Sequence, residues 1–542
     1  MTIGQRENNL NSAKATSNSS DLSNEGNEQI VEFGYEPVFK REFGRLASFS
    51  FAFSISGLYA TIATTFIYGL QAGGAPAVVW CWLIAGAGCM CIALSVAELV
   101  SAYPTSGGLY FTLQYLVPTK HIPLTSWICG WLNFLGQVAG VASTDYGCSQ
   151  LLLAAVSIGT QFRYQPTAGH LVGVTAAIII LHGFINSLST KLLDRITRWY
   201  AIFHLIVLVV ASITLLVCQK EKHSAKYVFV DIQPHSGWTP AGFSFLFGFL
   251  SVAWAMTDYD ATAHIAEEIQ NAAVRAPQAI ASALFVTYSL GFVFNIVLAF
   301  TMGDINNLLS SPTGQPFTQI FYNVLGTTGA ICFTIFAFII LNFCGIAALQ
   351  ANARTIYAYS RDELLPFSKI WTRINSYTQT PLIAVWLNVT LAIGITLIGL
   401  GSTTAIAAIF NVCAIALDWS YCIPIICKLI YGSKATGRYT PGPWNLGKFS
   451  TAINSWSVIW TLFVSVIFLM PTNRPVTAEN MNYAVVILVG IFTFSMVYWF
   501  IGGARKHYIG PRVKHRRPKE NNNTAEFVAP PHPYEEDQVI RL

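Results

Sequence analysis

Long apolar runs separated by short polar connections dominate the chain from about residue 46 to residue 502. Each run holds twenty or so residues, enough for one helix to cross a hydrocarbon core of about 30 Å. The pattern divides into twelve spans, near 46–70, 76–102, 124–158, 168–186, 194–217, 241–264, 279–302, 328–358, 381–400, 404–430, 453–471 and 482–502. The first 45 residues break with it. They are polar and rich in Ser, Asn and Glu ("NNLNSAKATSNSSDLSNEGNEQ"), with no apolar core of a signal peptide. Such a segment buries too little apolar surface to offset its ordering entropy and is expected to be a disordered tail. The organisation that follows is an N-tail over 1–45, a twelve-helix domain over 46–502 and a C-tail over 503–542.

Composition sharpens this reading. The 542 residues are 53% hydrophobic and 11% charged, against roughly 25% charged in soluble domains. A string of ordinary globular domains is excluded, and a polytopic all-α membrane protein is expected. With both tails placed in the cytoplasm, 26 of the 31 lysines and arginines fall at inside segments. Only Arg163, Lys220, Lys222, Lys226 and Arg474 fall outside, the positive-inside bias of an even-spanned protein. The plasma membrane is the expected location, with an internal organelle as the alternative. The C-tail opens "GGARKHYIGPRVKHRRPKE", a basic run that enforces topology or holds anionic lipid. The Asn-x-Ser/Thr sites at Asn18 and Asn522 lie in tails placed inside, where glycosylation is not expected. The eleven cysteines lie in or at the ends of spans without metal-ligand or disulfide spacing, and read as packing residues. No metal or other cofactor is expected.

The sixth span carries the sharpest chemical signal. "FGFLSVAWAMTDYDATAHIAEEI" begins as a lipid-soluble helix and then gains two aspartates, a histidine and two glutamates. An ionised side chain near the bilayer centre costs roughly 2.5–3.5 kcal/mol on insertion scales and is seldom idle. On an unbroken helix Asp258 and Asp260 would point some 200° apart, too far to face one cavity. An interrupted helix resolves this. Thr257 and Asp260 have capping-box spacing, which predicts a second half-helix starting near Asp258 with Thr257 as its N-cap. Within it Asp260, His264 and Glu268 share a face and form a polar seam toward the cytoplasm, suited to gate closure. Asp258 lies at the break itself. Span one has matching permissive residues, Ser54, Ser56 and Gly57, in "FSFAFSISGLYATIATTF". Interrupted helices at corresponding places in two halves point to a midplane binding site in an inverted repeat.

Several stretches resemble one family. "AELVSAYPTSGGLY" (97–110), "DATAHIAEE" (260–268), "YAYSRDELLP" (357–366), "PGPWNLG" and "MNYA" (481–484) occur in order along nearly the whole chain. They are similar to motifs of the fungal amino-acid/choline permeases in the amino acid–polyamine–organocation superfamily. The resemblance implies a five-plus-five inverted repeat with broken helices one and six, plus two extra helices. It further implies a substrate site built from Ser54, Ser56, Gly57, Trp254, Thr257 and Asp258, with Asp145 on span three. Two departures stand out: Glu363 and Leu364 replace a frequent Asn-Gly, and Asp258 lies outside the family pattern, which marks a more cationic substrate.

The other polar positions have open roles. Glu98 reads as a gate residue bonded to the loop that follows it, or as a proton carrier. Asp145 lines the outer vestibule or anchors a neighbouring helix. His204, alone on an apolar face of span five, is a satisfied buried histidine or a proton relay. Asp418 pairs across helices or faces a water-filled cavity, and Asn342 and Asn352 read as interhelical hydrogen bonders. Gating or proton coupling is thus expected of Glu98, Asp260, His264, Glu268 and His204. The functional expectation is a secondary-active permease for amino acids or related small amines such as γ-aminobutyrate, proton-coupled and working by alternating access. Its partners are the small amine, the lipid bilayer and the coupling proton, with no role for nucleic acid. The alternatives are an organic-cation permease (choline, thiamine or a polyamine) and a non-transporting amino-acid sensor. No nucleophile–base pair or metal cluster supports an enzyme.

Overall fold

The computed structural model describes residues 27–188, 193, 195, 199–401, 403–432, 437–477, 480–511, 515–516 and 527–528. Among the described residues the protein is all-α, apart from two two-residue strands, His515–Arg516 and Phe527–Val528, that pair antiparallel. Nine helices among them are long and apolar enough to cross a membrane. They are spans 1 (Arg45–Gly73), 2 (Ala75–Ala102), 4 (Ala168–Asn186), 5 (Tyr200–Cys218), 7 (Ala272–Thr301), 8 (Pro316–Arg361), 9 (Leu382–Leu400), 10 (Ala408–Ile430) and 11 (Gly447–Phe468). Three further elements complete the expected twelve. Span 3 (Ile122–Gly159) has 38 residues, and its hydropathy is diluted by buried polar positions such as Asn133, Gln137 and Asp145. Span 6 is broken into short helices over 241–264, and span 12 (Ala484–Phe500) has 17 residues. Span 8 bends at Gly326, whose φ of 70° is open to glycine, so its membrane-crossing part starts close to the expected residue 328.

The core is the inner set of spans. In the most apolar window of spans 1 and 10, 83% of the residues are buried, against 33% in spans 4 and 5, which face lipid. Span 2 lies along span 7, and span 3 runs between spans 8 and 10. Close approach rests on small residues: a side chain at Gly136 would collide with Leu417, and one at Gly291 with Trp82.

One part of the expected N-tail is not loose. Residues 27–43 dock across the end of the bundle that carries both tails, called the tail face below. Ile30 and Phe33 are buried, with Phe33 against Tyr103 and Phe111, and Phe43 bridges to Ile269. The aromatic content of "VEFGYEPVFKREF" supplies the apolar area that the preceding Ser/Asn-rich stretch lacks.

Candidate functional site

Two helix breaks face each other inside the bundle. In span 1, helix 1a (Arg45–Ser56) ends and helix 1b (Leu58–Gly73) begins at Gly57, held at φ +46°. In span 6, helix 6a (Phe249–Ala255) ends at Met256, and helix 6b (Ala261–His264) starts five residues later. Asp258 sits between them at φ +64°, a left-handed conformation that costs a non-glycine residue about 1–2 kcal/mol. The break is where the acid pair placed it, but its capping differs. Asp260, not Thr257, occupies the N-cap position, and its side chain makes no cap bond. Its carboxylate is taken instead by donors from spans 3 and 10 and by His264 of its own span.

Those donors are Asn133 Nδ2 at 2.7 Å, Tyr421 OH at 2.6 Å and His264 Nε2 at 2.9 Å, with Gln137 Nε2 at 3.4 Å. Tyr359 OH donates to Asn133 Oδ1 at 2.9 Å, which brings span 8 into the same network. Asp260 thus ties span 6 to spans 3, 8 and 10. Asp258 has a thinner shell. Gln137 Nε2 donates to its Oδ1 at 2.8 Å. The unwound segment therefore brings both acids to one amide, which an unbroken helix could not do. On its other side Asp258 lines a cavity of about 20 Å³ with Ser56, Thr257, Tyr259 and Thr262. That volume holds a water and is too small for an amino acid.

The tail face below the break is sealed by charges. His264 Nδ1 meets the Ser106 carbonyl at 2.9 Å, and Ser106 N–H donates to Glu267 Oε1 at 3.0 Å. The two nitrogens of His264 thus face the Ser106 carbonyl and the Asp260 carboxylate. Gly108, at φ +57°, passes so close to the imidazole that an added Cβ would lie 2.8 Å from His264 Cε1. The expected seam stops at His264. The chain tightens into a 3₁₀ turn at Ala266–Glu268, and Glu268 swings to Arg354 on span 8 at 2.7 Å. Glu267 pairs with Arg361 at 3.2 Å.

The other expected site residues are distributed more widely. Ser56 reaches Thr287 on span 7 at 2.8 Å, whereas Ser54 bonds back to the Ser50 carbonyl at 2.7 Å, inside its own helix. Trp254, on the side of the break away from the tails, donates to Ser143 at 3.1 Å and packs on Phe410. Asp145 anchors span 4: His182 Nδ1 lies 3.0 Å from its carboxylate, and His182 Nε2 meets Asn342 Oδ1 at 3.0 Å. His204 Nε2 accepts the Tyr59 backbone N–H at 3.0 Å and so caps helix 1b. Asn352 donates to Asn388 on span 9 at 2.9 Å. Glu98 does not bond the loop after span 2. It pairs with Lys428 on span 10, accepts from Ser450 Oγ at 2.8 Å and meets Leu446 N–H at 3.4 Å. Asp418 is buried, and its Oδ1 makes no hydrogen bond among the described residues.

Sequence reasoning missed Asn133, Gln137, His182, Tyr359 and Tyr421. A signal existed for the first two, which are four apart in an apolar span and so share a helix face.

A helical bundle with nine membrane-length apolar helices among the described residues, and spans 1 and 6 broken opposite one another beside Asp258 and Asp260, defines a polytopic carrier-type membrane protein. The model of the family described as "Amino acid permease" matches residues 43–492, and the chain belongs to that family. It is 66% identical over 509 residues to an uncharacterized amino-acid permease of Schizosaccharomyces pombe, covering 93% of each chain. It is 51% identical over 500 residues to amino-acid permease 2 of Neurospora crassa, covering 92% of this chain and 91% of that one. Similarity to amino-acid permease BAT1 of Arabidopsis thaliana is 33% identity over 501 residues, covering 90% and 96%. The chain is an amino-acid transporter and not an enzyme.

Proposed function

We propose that the chain is a secondary-active, proton-coupled amino-acid permease that works by alternating access. The substrate sits at the breaks of spans 1 and 6, with its amine on Asp258. The observation that carries this reading is Asp258 itself: an acid in strained, unwound backbone, with one neutral donor from the protein and a small cavity beside it. Strain of this kind persists where the surrounding structure holds it for function. Ser56, Gly57 and Thr257 complete the site in this reading, and Trp254 closes it from the side away from the tails. The Asp260–His264 pair, with the Glu267–Arg361 and Glu268–Arg354 bridges, closes the tail face. A buried histidine paired with a carboxylate at this gate supports proton coupling. The Lys/Arg bias of the loops supports a cytoplasmic tail face.

The test is uptake of labelled amino acids, γ-aminobutyrate among them, into proteoliposomes with and without an imposed inward proton gradient. Gradient-driven accumulation is expected. Binding without flux would revive the sensor, and flux of choline, thiamine or a polyamine alone would move the site to organic cations.

A further inference from the structure

We propose that Gln137 sets the substrate class of this site, and that the class is the amino acid with a cationic side chain, lysine- or arginine-like. The inference deepens the permease reading above and rests on it. It starts from charge. Asp260 is balanced within the protein by His264 and by the neutral donors Asn133 and Tyr421. Asp258 receives a neutral amide, and the residues lining the cavity beside it include no lysine, arginine or histidine. A half-buried carboxylate with no cation among the residues lining its cavity favours a positive charge from its ligand.

Gln137 shapes what that ligand meets. Its Nε2 is committed to Asp258 Oδ1 at 2.8 Å and Asp260 Oδ1 at 3.4 Å, so its Oε1 must face the other way as an acceptor. Gln137 is 2% exposed, and Oε1 has no hydrogen-bond partner. Thr257 Oγ1 is likewise shielded and without a partner. Buried polar atoms are almost always bonded, so two orphan oxygens, one at the break and one on a side chain bonded to it, mark a place where a ligand completes the set. These two oxygens and the Asp258 carboxylate suit the three donors of an ammonium or three of the five of a guanidinium.

A zwitterion fits less well. It brings its own carboxylate, for which the natural cradle is the amide end of helix 1b. There the Tyr59 N–H is already taken by His204 Nε2 at 3.0 Å, which leaves one donor fewer for that carboxylate. A substrate with a second cationic group offsets both its own carboxylate and Asp258.

The experiment uses the full chain in proteoliposomes and compares near-isosteres that differ in side-chain charge. Lysine is set against norleucine, and arginine against citrulline, each competing for uptake of labelled lysine. The charged member is expected to compete at least about tenfold better, because a site built to bond an N–H rejects the analogue that lacks it. Gln137→Leu should collapse that ratio toward unity, as should Asp258→Asn. Should either variant fail to transport, the same ratio is read from ligand-induced thermal shifts of the solubilised protein. A wild-type ratio near one, or uptake of norleucine without lysine, overturns the inference and leaves the permease standing. An unchanged ratio in Gln137→Leu, or equal loss of response to both ligands, removes Gln137 from the role. A wild type that carries no amino acid overturns the permease reading itself.

Discussion

Asp258 and Asp260 are the same residue type two positions apart, yet they sit in opposite circumstances. Asp260 is fully buried and bonded by side chains of spans 3, 6 and 10, while Asp258 is half-buried with Gln137 as its donor. The identical change to asparagine should therefore read differently. Asp260→Asn removes one side of a buried pair, a loss of about 3–5 kcal/mol, and should lower the unfolding temperature of the solubilised protein well below wild type. Asp258→Asn should leave that temperature nearly unchanged and weaken substrate binding; equal shifts would remove the distinction between structural and ligand-facing acid. Gly108 is a second residue whose reason is local. It needs a positive φ, and its missing side chain is the space His264 occupies. Gly108→Ala should cost at least about 2 kcal/mol, from the left-handed backbone and the overpacked imidazole together, and a melt with no shift would refute it.

Among the elements, the spans were the legible part, because apolar length against a bilayer leaves little freedom in where a helix crosses. The break in span 6 was legible too, since two acids 200° apart on one helix have no shared cavity. What misled was the cap. Thr257 and Asp260 carry the local signal for a helix start, but tertiary donors claimed Asp260, and helix 6b begins one turn later than that signal implied. The short 6b helps explain why residues 27–43 dock. Arg41 donates to the Ile269 carbonyl at 2.6 Å, and Phe43 pairs with Glu268 and Gln270 through their backbones. Tyr35 donates to Asp362 at 3.0 Å while Arg361 stacks on its ring at 3.5 Å. Burial, with Asp362 beside it, holds the Tyr35 phenol well above its usual range, so it stays protonated and donating through neutral pH. On the alternating-access reading proposed above, a strap bonded to the Glu268 and Ile269 carbonyls, just past 6b, has to release before the tail face opens. Arg41→Ala should therefore raise labelling of a cysteine placed at Thr262 from the tail side, in a background where the exposed Cys218 and Cys332 are serine. Labelling equal to that of the intact strap would mean that the segment merely rests on the bundle.

For the whole molecule, what sequence could not give was partnership across the bundle. Asp145 was visible as a buried acid, but His182, 37 positions on in an apolar run, is its partner only because spans 3 and 4 are packed side by side. The same holds for Glu98, whose apparent partner was the adjacent loop and whose actual partners come from spans 10 and 11. That cluster binds span 11, one of the two extra helices, to spans 2 and 10. Lys428 also donates to Ser450 at 3.0 Å, and Trp444 N–H, in the "PGPWNLG" turn, bonds Ser101 Oγ at 2.9 Å, one turn beyond Glu98. Reversing one charge, as Glu98→Lys or Lys428→Glu, places like charges in a confined space and should sharply reduce the folded yield. The double swap restores opposite charges at the same two sites. It should recover part of the loss, with a coupling of about 0.5–3 kcal/mol typical of residues in one network. Folded yield and unfolding temperature of the four proteins measure this. A double swap no better than the worse single change would show that opposite charge at these two sites is not what anchors spans 10 and 11.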